Sequence, residues 1–211
     1  MVHISTRKIL PAALVAAGMI AATPALAQLK PASPDLGFYA GGAVGQAKFK
    51  DGCTGITSTG FAGGCDDKDT TWKIFGGYQF HRNAAVELGY VDFGEASATG
   101  TLGGVPVTAS ADAKALELVG VGILPLTQQL SAYGKAGAYR WDVDTRATAG
   151  AAAAGGGDDG TDFTYGVGLK YNFSRNLAAR VEYQRYNDLG NSNTTGQTDV
   201  NMWSVGLMFR F

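Results

Sequence analysis

The feature that most restricts the fold is a strict alternation of large apolar residues with small or polar ones. In residues 161–173 one set of alternate positions is bulky and apolar: Phe163, Tyr165, Val167, Leu169, Tyr171 and Phe173. The intervening positions are small or polar: Thr164, Gly166, Gly168, Lys170 and Asn172. Because successive side chains of a β-strand point to opposite faces, this pattern predicts a strand with one apolar and one polar face.

Similar segments follow one another from residue 37 to the end of the chain. They predict eight strands, at residues 38–49, 70–80, 84–94, 113–124, 130–143, 161–173, 177–187 and 198–211. Short turns at 81–83, 125–129 and 174–176 alternate with long polar connections at 50–69, 95–112, 144–160 and 188–197. Short periplasmic turns and long external loops alternate in this way in transmembrane β-barrels, and an even strand number places both termini on the periplasmic side.

The composition is compatible with a membrane barrel, and the bulk of the apolar side chains decides which face points inward. Charged residues make up 17% of the chain, glycine occurs 31 times, and the mean hydropathy is −0.00. A soluble lipocalin-like barrel with an apolar cavity would need polar outer faces, whereas the interior of eight strands is too narrow for the bulky apolar face. The sequence therefore predicts an all-β fold, an eight-stranded antiparallel up-and-down transmembrane β-barrel.

The first residues have the pattern of an export signal. Arg7 and Lys8 precede an apolar run at 9–20, and Ala25-Leu26-Ala27 is a small-x-small cleavage site. An uncleaved anchor is the alternative, but the run is short and interrupted by proline. We expect a cleaved signal peptide at 1–27, an N-terminal periplasmic segment at 28–36 and the outer-membrane barrel at 37–211. Cleavage leaves a net charge of about −3, which gives no reason to expect nucleic acid as a partner.

The two cysteines, Cys53 and Cys65, lie in one polar, glycine-rich segment. An exported protein meets an oxidising periplasm, so a disulfide between them is the favoured interpretation and free thiols are the alternative.

Several motifs together resemble the transmembrane domain of the OmpA family. They are Phe75-Gly-Gly-Tyr-Gln79, Val86-Glu-Leu-Gly-Tyr90, Arg180-Val-Glu-Tyr-Gln184 and the ending Val205-Gly-Leu-Met-Phe-Arg-Phe211. The resemblance implies that the barrel assembly machinery reads a C-terminal signal formed by Trp203, Val205, Leu207, Phe209 and Phe211. Family members often carry a peptidoglycan-binding domain after the barrel. Since this chain stops at Phe211, cell-wall tethering is not carried over.

Charged residues of both signs occupy predicted inward positions: Lys73, Glu87, Glu117, Lys135, Lys170, Arg180, Glu182 and Arg210. Buried charges are costly unless they are paired, and the resemblance implies a salt-bridged plug that includes Glu87, Lys135 and Arg180. The favoured interpretation is structural, with no continuous channel. The alternative is a small-solute pore that opens when the pairs exchange partners.

Catalytic residues are not predicted, because the external loops contain no histidine; a membrane-embedded enzyme that uses loop carboxylates is the least favoured alternative. His3 leaves with the signal peptide, and His81 lies in a predicted periplasmic turn. Aspartate pairs such as Asp66–Asp67 and Asp158–Asp159 lack the spacing of a calcium loop, so neither a metal site nor a cofactor is expected.

The remaining surface consists of the external loops. Their Ala/Gly/Thr-rich stretches suit exposure and variation but specify no partner. We expect a structural, envelope role together with surface interaction, as in an adhesin or surface antigen. The expected partners are outer-membrane lipid and lipopolysaccharide, the barrel assembly machinery and, through the loops, host or surface ligands.

Overall fold

The computed structural model describes residues 36–50, 61–66, 68–102, 104–191 and 196–211. Nine strands lie in these ranges: β1 Gly37–Phe49, β2 Phe61–Asp66, β3 Lys68–His81, β4 Ala84–Leu102, β5 Val105–Pro125, β6 Leu130–Ala149, β7 Ala152–Asn172, β8 Leu177–Asn191 and β9 Gly196–Arg210. No helix within the described ranges is long and apolar enough to cross a membrane. The predicted signal peptide, most of the segment 28–36, and Cys53 lie outside them.

Eight of the strands close into a ring. Each pairs antiparallel with its neighbours in the order β1, β3, β4, β5, β6, β7, β8, β9, and β9 pairs again with β1. The short β2 lies beyond β3 and pairs with the upper part of β4, from Phe61↔Leu102 to Asp66↔Ser97. At membrane depth closure leaves no free edge in the ring, as a sheet surrounded by lipid requires. The predicted eight-stranded up-and-down barrel is confirmed.

The outer face of the lower barrel is apolar. On β7, every second residue from Phe163 to Phe173 is exposed, and the same holds on β9 from Trp203 to Phe211. The eleven residues from Phe163 to Phe173 rise about 25 Å at the usual strand tilt, the height of an outer-membrane apolar band. Aromatic residues lie near both borders of this band, with Trp72, Tyr90, Tyr183 and Trp203 at the upper one.

Above the upper aromatic border the two faces exchange character. On β6 the outward positions change from alanine and glycine at 132–138 to Arg140, Asp142 and Asp144. The inward positions change from Lys135 to Tyr139, Trp141 and Val143. An apolar cluster therefore fills the upper interior: Ala47, Phe49, Val91, Phe93, Ala113, Ala115, Tyr139, Trp141, Val143, Tyr186, Leu189, Val200 and Met202. At membrane depth the lumen holds the charged residues beside a second apolar cluster, and the larger apolar core lies above them. The second cluster consists of Tyr39, Phe75, Ala85, Val119, Val121, Tyr133, Ala178 and Met208.

The predicted long connections at 95–112 and 144–160 are wrong. Strands β4 and β5 remain paired up to Leu102↔Val105, and β6 and β7 up to Ala149↔Ala152. The β6–β7 turn is only Gly150–Ala151, with Gly150 at φ 60°. Hydrogen bonds between the backbones of neighbouring strands form without an amphipathic side-chain pattern. The low-complexity Ala/Gly/Thr segments therefore continue the strands beyond the membrane. The connections at 50–69 and 188–197 are likewise shorter than predicted, because β2, β8 and β9 occupy parts of them.

Candidate functional site: the lumenal charge cluster

The eight charged residues proposed from the sequence all point into the lumen, and each is at most 9% exposed. Six of them form one connected group, called here the lumenal cluster: Lys73, Glu87, Glu117, Lys135, Arg180 and Glu182. The group contains three cations and three carboxylates, so its formal charge is zero. The eight-stranded ring brings these residues together from β3, β4, β5, β6 and β8.

Two lysines share two carboxylates at the centre of the cluster. The Nζ atoms of Lys73 and Lys135 each lie 2.7 Å from Oε1 of Glu182. Each also lies 3.4 Å from Oε1 of Glu117. Either lysine can therefore keep one carboxylate partner if it loses the other.

Arg180 connects the centre to the periplasmic side of the cluster. Its Nη1 and Nη2 atoms donate to the two oxygens of Glu87 at 2.9 and 3.2 Å, and Nη2 lies 3.5 Å from Glu182. The guanidinium carbon lies 3.5 Å from the centre of the Phe75 ring. A bidentate ion pair and an aromatic face together stabilise a buried guanidinium better than a single contact would.

Neutral side chains satisfy the remaining carboxylate oxygens. Oε2 of Glu117 accepts hydrogen bonds from Gln184 Nε2 at 2.7 Å and from the Tyr186 hydroxyl at 2.8 Å. The hydroxyls of Tyr39 and Tyr133 donate to Glu87 and Glu182. Sequence reasoning based on charge missed these four residues. For Tyr133, Gln184 and Tyr186 the available signal was even spacing from the charged residues of the same strands, whereas β1 carries no lumenal charge that would have pointed to Tyr39.

Glycines make room for the two periplasmic-side tyrosines. A Cβ atom at Gly77 would lie 2.4 Å from the ring of Tyr39, and one at Gly168 would lie 2.5 Å from the ring of Tyr133. Each glycine thus provides the space in which a lumenal tyrosine reaches its carboxylate.

Lys170 and Arg210 lie below the lumenal cluster. Arg210 Nη2 donates to Gln79 at 3.3 Å. Lys170 lines a periplasmic vestibule of about 520 Å³, together with Gln79, Arg82 and Asn172. A second cavity of about 20 Å³ lies between this vestibule and the cluster, which is room for about one water molecule.

Aromatic packing closes the lumen above the cluster. The ring of Tyr186 meets Phe93 edge to face at 4.7 Å and Tyr139 at 5.0 Å. Trp141, one layer higher, donates from Nε1 to Asp162 at 2.7 Å. Because Tyr186 also donates to Glu117, the apolar closure and the lumenal cluster are directly connected.

The other residues singled out from the sequence lie away from the lumen. The residues of the predicted C-terminal signal lie on the outward face of β9 and directly after it, from Trp203 at 61% exposure to Phe211 at 59%. His81 accepts a hydrogen bond from the backbone of Asn83 in the β3–β4 turn. Asp159 pairs with Arg140 on the surface. No group of three potential metal ligands occurs in the described ranges. The predicted disulfide between Cys53 and Cys65 involves a residue outside them.

A closed eight-stranded barrel with an apolar exterior and a charged lumen is the architecture of an outer-membrane β-barrel protein. Residues 34–211 match the OmpA-like transmembrane domain family. The chain therefore belongs to that family, and it is a protein of the bacterial outer membrane.

Known proteins agree with this assignment. The chain is 28% identical to Outer membrane protein A of Klebsiella aerogenes over 200 residues, covering 94% of this chain and 55% of the relative. It thus spans about half the length of the curated relatives it matches. The N-terminal barrel domain of OprF from Pseudomonas aeruginosa has a TM-score of 0.51 at 14% identity, covering 83% of this chain and 98% of that one. OprG from the same organism has a TM-score of 0.50 at 16% identity, with coverages of 84% and 97%.

Proposed function

We propose that this protein is a closed, non-catalytic barrel that anchors a projecting β-sheet at the cell surface, where the sheet serves structural and adhesin- or antigen-like contacts. The observation that carries the proposal is the continuation of β4, β5, β6 and β7 as one paired sheet above the upper aromatic border. From Arg140 to Ala149, β6 continues for about 30 Å along the strand. Strands of that length exceed what crossing the membrane requires.

The filled lumen supports the structural part of this proposal. A small-solute channel would need a continuous water path, whereas the lumenal cluster is capped by the contacts of Phe93, Tyr139 and Tyr186. Eight strands leave an interior that side chains can fill completely. We expect planar bilayers containing the purified protein to give no steady single-channel steps.

A second candidate is a gated pore, and one observation favours it. Lys73 and Lys135 share Glu117 and Glu182, so an exchange of partners keeps every charge paired. The wide periplasmic vestibule would supply the entrance. Regular conductance steps that change when Lys135 is replaced by methionine would support this candidate over the closed barrel.

The surface role is tested by shortening the two projecting hairpins at register partners. One deletion joins Ser97 to Ser110, and the other joins Arg146 to Gly155, each through an Asn-Gly turn. Cells bearing equal amounts of heat-modifiable barrel are then compared for binding to host cells and matrix-coated surfaces. We expect the double deletion to lose binding and each single deletion to lose part of it. Wild-type binding by the double deletion would contradict the proposal.

The processing steps complete the proposal. Residues 1–27 would be removed on export, Cys53 and Cys65 would be bridged in the periplasm, and the barrel assembly machinery would read the outward residues of β9 that end at Phe211. The mass of the mature protein with and without reduction and thiol alkylation tests the first two statements. Lipid and lipopolysaccharide would contact the apolar band.

A further inference from the structure

Among the strands that the structure describes, β7 has an edge above the membrane with no pairing partner, called here the open edge. It pairs with β6 along its length, from Ala152 opposite Ala149 to Tyr171 opposite Leu130. Its pairing with β8 begins only at Thr164, opposite Tyr186. On the β8 side of residues 152–163, no described strand forms a ladder. This stretch of twelve residues is as long as two average strands.

The hydrogen-bonding direction of each residue on this edge follows from the ends of the strand. The backbone N–H of Asn172 donates to Gln129 on the β6 side, and that of Phe173 donates to Leu177 on the β8 side. Because the direction alternates along a regular antiparallel ladder, the odd-numbered residues of β7 face away from β6. Those on the open edge are Ala153, Gly155, Gly157, Asp159 and Thr161.

The fold itself prevents β8 from covering this edge. Beyond Tyr186 the β8–β9 register shifts, and Asp188 and Gly190 adopt φ values of 58° and 92°. The side chain of Asn187 donates to the carbonyl of Phe163 at 3.1 Å and so ends the β7–β8 contact. Natural edges are usually blocked by proline, by a bulge or by charged side chains, lysine above all. The β7 stretch contains no proline or lysine and pairs with β6 without a register shift, and its charged residues are Asp158, Asp159 and Asp162.

We propose that the open β7 edge at residues 152–163 binds an extended, basic peptide segment of a partner protein by strand addition. This inference rests on the proposed surface role and names its binding site. Backbone hydrogen bonds provide the affinity in this mode of recognition. The charge of the hairpin selects the partner, because residues 140–163 contain five aspartates and two arginines. Asp158, Asp159 and Asp162 lie on the edge strand itself, where Asp159 is paired with Arg140 and Asp162 accepts from Trp141.

A second copy of the chain is the competing occupant. Antiparallel pairing of two β7 edges would place six carboxylates, three from each copy, on one short two-stranded ribbon. Like charges close together across strands are destabilising. The same acidic residues therefore disfavour self-association and favour a cationic strand.

The test uses the full barrel in phosphatidylcholine nanodiscs, with empty nanodiscs as the background. The probe is a fluorescent nine-residue peptide of alternating lysine and threonine. Two control peptides are used, one with glutamate in place of lysine and one N-methylated at alternate backbone nitrogens. The key variant is Gly157→Pro, which removes one edge-facing N–H and leaves the β6 ladder intact, and its matched control is Gly157→Ala. The alanine Cβ would lie 3.1 Å from the flexible carboxylate of Asp144 and in ordinary contact, at 3.7 Å, with the carbonyl oxygen of Val143.

We expect the lysine peptide to bind and the two control peptides not to bind. Gly157→Pro should weaken binding about fivefold or more, the effect of one lost hydrogen bond, while Gly157→Ala should not. Equal binding of the N-methylated peptide would mean that charge alone attracts the probe, and it would overturn strand addition. Disulfide cross-linking of two copies through a Gly157→Cys substitution would assign the edge to self-association and would also overturn strand addition.

The hairpin deletions separate this inference from the proposed function. If the deletions abolish cell binding but the probe does not bind, the surface role stands and strand addition at β7 is refuted. If the probe binds as expected but the deletions leave cell binding unchanged, the edge is a peptide site and the proposed surface role is refuted.

Discussion

Replacing Glu117 with glutamine tests whether the lumenal cluster holds the barrel together. Glu117 is completely buried and accepts from Lys73 and Lys135 at 3.4 Å, and from Gln184 and Tyr186 at 2.7 and 2.8 Å. The amide has the same shape as the carboxylate but turns one acceptor into a donor. It also leaves the six-residue cluster with a formal charge of +1.

The expected loss follows from what remains for the lysines. Breaking a buried ion pair by removing one partner costs about 3–5 kcal/mol. Both lysines keep Glu182 at 2.7 Å, so we expect the lower end, about 3 kcal/mol in the free energy of unfolding. Adding Lys73→Met restores neutrality, and the double variant should recover about 1–2 kcal/mol.

The assay is guanidinium unfolding of the protein refolded in lipid vesicles. The signals are the fluorescence of the three tryptophans and the mobility of unboiled protein on gels. The control is Asp159→Asn, which breaks an ion pair with Arg140 whose side chains are 56% and 70% exposed. It should change stability by less than about 0.5 kcal/mol. A change of less than about 0.5 kcal/mol for Glu117→Gln, as for Asp159→Asn, would show that the cluster does not stabilise the barrel as a dry network. Failure of Lys73→Met to recover stability in the Glu117→Gln background would show that charge balance is not what stabilises it.

Three further predictions follow from the packing. Gly168→Ala should lower the free energy of unfolding by about 1–3 kcal/mol, because the new Cβ would lie 2.5 Å from the ring of Tyr133. Its control is Gly134→Ala on the lipid face, where the nearest atom to the new Cβ is 3.9 Å away. That variant should be neutral in the same unfolding assay. Tyr186→Phe should cost about 1–2 kcal/mol by removing a hydrogen bond to a cluster carboxylate while keeping the aromatic contacts; a cost near zero would contradict that bond. Phe211→Ala should reduce the heat-modifiable protein in outer-membrane fractions but leave refolding in vesicles unchanged; equal reduction in both would indicate a stability defect instead.

The faces of the strands could be predicted because they depend on local alternation. On β7 and β9 a bulky residue at every second position already distinguishes the lipid face from the lumen. The same parity identified inward charges such as Lys73 and Glu182, which are 109 residues apart in the chain. Their contact could not be derived from the sequence, because it depends on the stagger between strands around the whole ring.

The height of the sheet could not be predicted for a different reason. Residues 98–112 and 145–161 alternate only weakly, since alanine, glycine and threonine occupy both faces. Their strands are stabilised by ladders between neighbours, such as Thr108↔Thr148, rather than by an amphipathic pattern. Tyr139, Trp141 and Val143 did share a face with Lys135, so the apolar upper core was available from the parity of β6.

The apolar upper core and the open β7 edge have a common origin in the path of β8. Tyr186 is the last residue of β8 that pairs with β7, and it is also the residue whose ring packs under Phe93 and whose hydroxyl reaches Glu117. Beyond it, Leu189 remains buried against β9 and the core. If β8 had stayed beside β7, the edge would be covered. The departure of β8 thus leaves the lumen closed and one edge of the projecting sheet without a neighbour among the described strands.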